Sequence, residues 1–94
     1  MLHKVNGSLK GLKAERLRQL QRQLQPLGYE FNQELSQFEK VGTLESAVNE
    51  LVPIYEELGW DAEHDLVLEE TVEDSAYSGK YVNGRVIREF PRGV

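Results

Sequence analysis

The sequence predicts an α+β domain. Two principal amphipathic helices are expected to pack on a small, largely antiparallel sheet that ends in a C-terminal Asn-Gly β-hairpin. Three observations carry this reading. Leu17, Leu20, Leu24 and Leu27 recur at helical spacing, and so do Leu44, Ala47, Val48, Leu51, Tyr55 and Leu58. The run Tyr81-Val82-Asn83-Gly84-Arg85-Val86-Ile87 has the pattern of two strands joined by a two-residue turn. The two helices end alike, in Leu27-Gly28-Tyr29-Glu30 and Leu58-Gly59-Trp60-Asp61, as a helix does when it returns to a sheet. The echo is too short to establish duplication.

Along the chain, residues 1–11 read as short and turn-rich. Leu2–Val5 is expected to be a brief strand, punctuated by Asn6-Gly7 and Gly11. Lys13 to Gln25 is rich in good helix formers, and Pro26 and Gly28 end it. Tyr29–Val41 carries two patterns. Tyr29 and Phe31 alternate as in a strand, whereas Phe31, Leu35 and Phe38 step as in a helix; a strand beginning at Tyr29 is expected. Thr43 is the natural N-cap of a helix running to Leu58, with Gly59 just beyond its end. Pro53 removes the bond to the carbonyl of Asn49, so a kink is expected there. Asp65–Val72 reads as a strand flanked by acids. In the closing hairpin the register pairs Tyr81 with Val86 and Tyr77 with Phe90, and Pro91 prevents the ladder from continuing.

Residues 1–94 are read as a single small domain, of 39% hydrophobic content. A chain of this size buries roughly 60–65% of its unfolded surface, so dimerisation is a common way to bury more. Cysteine is absent, which excludes a disulfide scaffold, thiolate metal sites and cysteine catalysis. No apolar run is long enough to span a membrane and no signal segment is visible; a cytoplasmic location without membrane association is expected.

Charge is strongly segregated within a net charge of −5. Residues 1–24 carry Lys4, Lys10, Lys13, Arg16, Arg18 and Arg22 against Glu15, net +5. Residues 25–76 carry fourteen acids against Lys40, net −13, and residues 77–94 return to net +3 through Lys80, Arg85, Arg88 and Arg92 against Glu89. Such asymmetry bears on partners and not on fold.

Catalytic constellations are weak. His64 lies between Glu63 and Asp65, but the other histidine is His3, far off in sequence, and one imidazole with two carboxylates does not make a standard zinc site. The serines lack a nucleophile elbow, and neither Gly7-x-x-x-Gly11 nor Ser78-Gly79-Lys80 has the setting of a phosphate loop. Asp61, Glu63 and Asp65 begin like a calcium loop, but Leu66 stands where its glycine belongs and Val72 where its glutamate belongs. No catalytic residue, cofactor or metal is therefore expected.

Val5 to Lys13, followed by Leu17, Leu20 and Arg22, resembles a segment near the N-terminus of HflX-type ribosome-associated GTPases. The resemblance stops at that helix and carries no functional residue; it implies a ribosome or RNA environment for the helix.

The chain is read as a non-enzymatic protein-binding or regulatory module, a homodimer by expectation, acting through its charge-segregated surfaces. Lys10, Lys13, Arg16, Arg18, Arg22, Trp60, Tyr81, Arg85 and Arg88 are its candidate partner-binding residues, since arginine and large aromatics are the usual interface anchors. Two alternatives stand beside it. The basic ends could join in one patch that binds nucleic acid or the ribosome, against a pI near 5.0. The acidic stretch 30–74 could instead cover a basic nucleic-acid-binding surface as an inhibitor.

Overall fold

In the computed structural model, which describes residues 2–73, 75 and 77–89, the chain forms an α+β fold with six antiparallel strands in one sheet. Its elements are β1 (His3–Ser8), α1 (Ala14–Leu24), β2 (Glu30–Asn32), β3 (Gln37–Val41), α2 (Leu44–Glu57), a single turn α3 (Ala62–Asp65), β4 (Leu68–Val72), β5 (Ser78–Val82) and β6 (Arg85–Glu89). The strand order is β2-β3-β1-β4-β5-β6. Strand β3 lies between β1 and β2, and β1 lies between β3 and β4. Each helix therefore connects two strands that have a third between them. This is the split β-α-β connectivity of ferredoxin-like domains, extended beyond β4 by a hairpin.

Alternation along the strands fixes which face is covered. Phe31, Phe38, Gly7, Leu68, Tyr81 and Val86 stand in one row across all six strands, on the side of the helices. The next row on that side is Lys40, Val5, Glu70, Gly79 and Arg88. Leu20 and Leu24 of α1 and Leu44, Ala47, Leu51 and Tyr55 of α2 join these rows in one core. The opposite face is open to solvent. Its central row is Glu30, Glu39, Asn6, Glu69, Lys80 and Ile87.

Both helices end in the same device. Tyr29 N–H donates to the Leu24 carbonyl and Gly28 N–H to that of Gln25; Trp60 N–H donates to Tyr55 and Gly59 N–H to Glu56. These are the paired bonds of a Schellman motif, closed by glycines at φ 91° and 77°. The aromatic after each glycine turns into the core, and Trp60 meets Tyr55 edge to face at 5.2 Å. The repeated four-residue sequence marks equivalent corners of the two split halves. Helix α2 begins as expected at Thr43, whose hydroxyl accepts from Ser46 N–H, and it runs through Pro53 unbroken. Pro53 and Asn49 are both exposed, so the Asn49 carbonyl that the proline leaves free lies toward water.

The structure corrects or refines several expectations. Asn6-Gly7 is not a turn: β1 runs from His3 to Ser8, and Gly7 sits directly beneath the Phe38 ring. A Cβ there would lie 2.7 Å from Cε1 and Cε2 and nearer still to Cζ, so packing selects glycine at this point. The strand expected to begin at Tyr29 begins at Glu30, and it is the first arm of a hairpin whose second arm is β3. Phe31 and Phe38 are cross-strand partners, which explains why their spacing imitated a helix. Asp65 lies in α3, and β4 begins only at Leu68, because Asp61 caps a helical turn by accepting from Glu63 and His64 N–H. The hairpin pairs Tyr81 with Val86 as read, and Asn83 and Gly84 both have positive φ, as a type I′ turn requires. Its proposed outer pair, Tyr77 with Phe90, extends past the described residues, as does Pro91; the ladder is described as far as Ser78–Glu89.

Gly7→Ala is expected to lower stability in a urea melt by about 2–3 kcal/mol, the scale of overpacking in a closed core. Phe38→Leu in the same chain should recover part of that loss, since the obstacle is the ring.

Candidate functional site

Glu70 is the one buried charged residue among those described, at 2% exposure. It lies on the helix side of β4, beside the start of α2. Leu44 N–H donates to its Oε2 at 3.0 Å, with His3 Nδ1 3.3 Å from the same oxygen, and Arg88 Nη1 donates to Oε1 at 3.3 Å. Arg88 also binds Glu45 and the Tyr77 hydroxyl oxygen. Burial and the adjacent Glu70 carboxylate push the Tyr77 hydroxyl pKa up. Arg88 reaches Glu70 across β5 because the residue between them is Gly79; a Cβ there would stand 3.4 Å from Glu70 Oε1. The cluster thus joins β1, the start of α2 and the terminal hairpin. Its carboxylate oxygens are taken up by the protein's own donors, which is the arrangement of a structural anchor.

A second polar cluster lies at the other side of the core. Lys40 Nζ contacts Glu50 at 3.1 Å and lies 4.9 Å above the Tyr29 ring, whose hydroxyl donates to Glu50. Burial, then the Glu50 charge, push the Tyr29 pKa up. On the open face Glu39 accepts from Gln37, Lys4 and Asn32, and these bonds hold its pKa below the usual carboxylate range. Its open-face strand positions carry no aromatic residue among those described, so this face lacks a platform for stacking bases.

The candidate partner-binding residues separate into three groups. Trp60 and Tyr81 are buried core residues and leave a partner little surface. Their size and apolar bulk, which suggested anchors, are spent on packing. Arg16 lies across the Trp60 ring at 5.1 Å, on the flank of α1 away from Arg18. Arg85 and Arg88 are on β6, at the sheet edge opposite β2, and Arg88 is held by Glu70 and Glu45. Among the described residues, the cations of α1 and those of β6 therefore do not meet in one patch.

Lys10, Lys13 and Arg18 form the remaining group. The loop between β1 and α1, the inner edge of α1 and the β2–β3 hairpin enclose an open groove of about 350 Å³. Leu9, Leu12, Leu17 and Phe31, all half-buried, supply its apolar lining, with Lys10 and Gln21 at its border. Lys13 adjoins it as the N-cap of α1, and Arg18 stands one helical turn before Gln21 on the same side. Arg22 lies further round, on the outward face. Among the described residues none of Lys10, Lys13, Arg18 and Arg22 has an acidic partner, whereas Lys4, Lys40 and Arg88 are all paired. The groove itself was missed in the sequence. Leu9 and Leu12 fall in a loop, outside the helical stripe that drew attention to Leu17.

His64 is exposed on α3, where its Nδ1 lies 2.5 Å from Asp61 Oδ2. No group of three or more metal-ligating side chains occurs among the described residues, and no helix there is long and apolar enough to cross a membrane.

No protein-family model, curated protein or solved structure matches the chain.

Two outcomes test this electrostatic picture. Glu70→Ala should cost about 2–3 kcal/mol, because it strands the Leu44 amide and releases Arg88; hydrogen exchange should quicken at Leu44 and along β5–β6. Separately, the bond to Asp61 raises the His64 pKa and lowers that of Asp61. The contact's contribution to stability is present below the unfolded histidine pKa and fades as pH rises through the raised folded value; it is lost again as pH falls through the lowered Asp61 value. In an NMR titration, Asp61→Asn should lower the His64 midpoint toward its ordinary value, with the charges of Glu63 and Asp65 still raising it.

Proposed function

We propose that this chain is a protein-binding module without chemistry of its own, and that it docks an acidic, partly apolar segment of a partner protein in the groove beside α1. The observation that carries this reading is the juxtaposition of an apolar lining with Lys10, Lys13 and Arg18, which lack acidic partners among the described residues. Lys4, Lys40 and Arg88 are neutralised internally; Arg16, Arg22, Lys80 and Arg85 also lack an acidic partner among the described residues, but they do not line this apolar groove. Those beside the groove are left for something outside. Apolar anchors would supply affinity there, and the cations would supply orientation and on-rate.

An acidic protein segment suits the site better than nucleic acid. The chain as a whole is acidic, so a long polyanion would be repelled beyond the groove, whereas a short segment need meet only its cations. The reading as an acidic inhibitor is weaker for a related reason. Glu39, Glu45, Glu50 and Glu70, all within the acidic stretch, are engaged by Lys4, Lys40 and Arg88.

The test is capture from native lysate by the wild type and by the triple variant Lys10→Glu, Lys13→Glu, Arg18→Glu, with and without nuclease. All three side chains are exposed, so far-ultraviolet circular dichroism should be unchanged. The expected outcome is roughly tenfold or greater loss of the captured protein in the variant, with no effect of nuclease. Capture that ignores the reversal would sink the groove, and capture lost on nuclease treatment would transfer the site to nucleic acid.

A further inference from the structure

The sheet has two edges of different character. At one, β2 is three residues long. At the other, β6 offers five residues, with Val86 42% exposed on the helix side and Ile87 43% exposed on the open face. Natural sheets usually blunt such an edge with a bulge, a proline or charged side chains. Arg85–Glu89 has no bulge and no proline; of its charged residues, Arg88 on the helix side is already bound to Glu45 and Glu70.

We propose that β6 is the contact strand of a two-fold homodimer. In it two copies pair β6 with β6 in antiparallel register centred on Ile87, and one sheet continues through both protomers.

Backbone geometry selects this register. A two-residue type I′ turn closes on a hydrogen-bonded pair, here Val82 and Arg85. Bonded and non-bonded pairs then alternate, so Arg85, Ile87 and Glu89 direct their backbone groups to β5, while those of Val86 and Arg88 point away from the sheet. Centring on Ile87 places Val86 opposite Arg88 of the second copy, and Arg88 opposite its Val86. Every outward N–H and C=O of these two residues then finds a partner. A shift of one residue either way leaves some of them unmatched.

Side-chain positions agree with the same register. Ile87 meets its own copy in a non-hydrogen-bonded pair, where side chains are closest. In the sequence, Arg85 and Glu89 are the positions that this register sets opposite each other. Arg88 is already held by Glu45 and Glu70 on the helix side, so it offers its aliphatic stem and not a free charge to Val86 of the second copy. An antiparallel strand pair is self-complementary, as a closed two-fold dimer requires. The groove beside α1 takes no part, so this inference stands apart from the partner proposed above.

Sedimentation of the wild-type chain across a concentration series, and oxidation of single-cysteine variants, test it directly. The wild type should show a monomer–dimer equilibrium with a limiting mass twice 10.8 kDa. Ile87→Glu, which sets two glutamates face to face, should be monomeric at every concentration. In a chain without native cysteine, Ile87→Cys should oxidise to a covalent dimer, because non-hydrogen-bonded partners lie about 4.5 Å apart at Cα, within disulfide reach. Val82→Cys on β5 should remain uncrosslinked. A wild type that stays monomeric to about millimolar concentration, a dimer that survives Ile87→Glu, or crosslinking as efficient at Val82 as at Ile87 would each overturn the proposal.

Discussion

The anchoring of Glu70 is the interaction on which the arrangement of this fold depends. A carboxylate this deeply buried is stable only if donors surround it, and here they come from three separate parts of the chain. Leu44 contributes the first amide of α2, where the helix dipole favours negative charge. Arg88 arrives from the last strand, and His3 from the first. The anchor therefore couples the position of α2 over the sheet to the attachment of the terminal hairpin. It also accounts for Gly79, the gap through which the guanidinium passes. A β5–β6 hairpin attached by its ladder alone would be free to peel away from β4. With Arg88 bound beneath α2 it belongs to the same core.

Strand order determines what becomes of the segregated charge. In sequence, the basic N-terminus precedes a long acidic stretch. In space, β1 is inserted between β3 and β4, both of which come from that stretch, and Lys4 meets Glu39 there. The basic C-terminal hairpin folds back so that Arg88 lies over Glu45 and Glu70. The topology thus interleaves the blocks and neutralises part of their charge internally. Helix α1 escapes because its cations point away from the sheet or border the groove. The segregation that was conspicuous in the sequence finds its outward expression in that smaller set of residues.

Local signals were legible where local chemistry decides the structure. The caps at Thr43, Gly28 and Gly59, the two leucine stripes and the Asn83-Gly84 turn all stand where the residue types place them. The same dipeptide at Asn6-Gly7 shows where that reasoning ends. Asn83-Gly84 turns because both residues take positive φ, whereas Gly7 is held extended by pairing on both sides and is glycine because the Phe38 ring fills the space a Cβ would need. Phe38 comes from a distant strand, and no window around Gly7 contains it. Glu70 was hidden among acids, although one signal pointed to it. It falls on the inward side of the alternation Leu68, Glu70, Val72, so a strand there required a buried carboxylate. Trp60 and Tyr81 could not be sorted from interface anchors by type, because bulk and apolarity suit a core equally well. The groove depends on the β1–α1 loop approaching the β2–β3 hairpin, a tertiary juxtaposition with no local signature.

The extra hairpin has a consequence for assembly. In a four-stranded split β-α-β sheet the free edges are β2 and β4. Here β5 and β6 cover β4 and, among the described residues, move the free edge two strands outward, away from α1 and from the groove. Pairing through β6 would then place the two grooves toward opposite ends of a continuous sheet of twelve strands. At about 4.8 Å per strand the outer edges would be roughly 50 Å apart. A single short peptide could not engage both grooves. A partner with two acidic segments on a linker long enough to span that distance could do so, and its second contact would form at the effective concentration set by the linker. Such an assembly would discriminate between partners by the spacing of their acidic segments as well as by their sequence, which a monomer with one groove has no means to do.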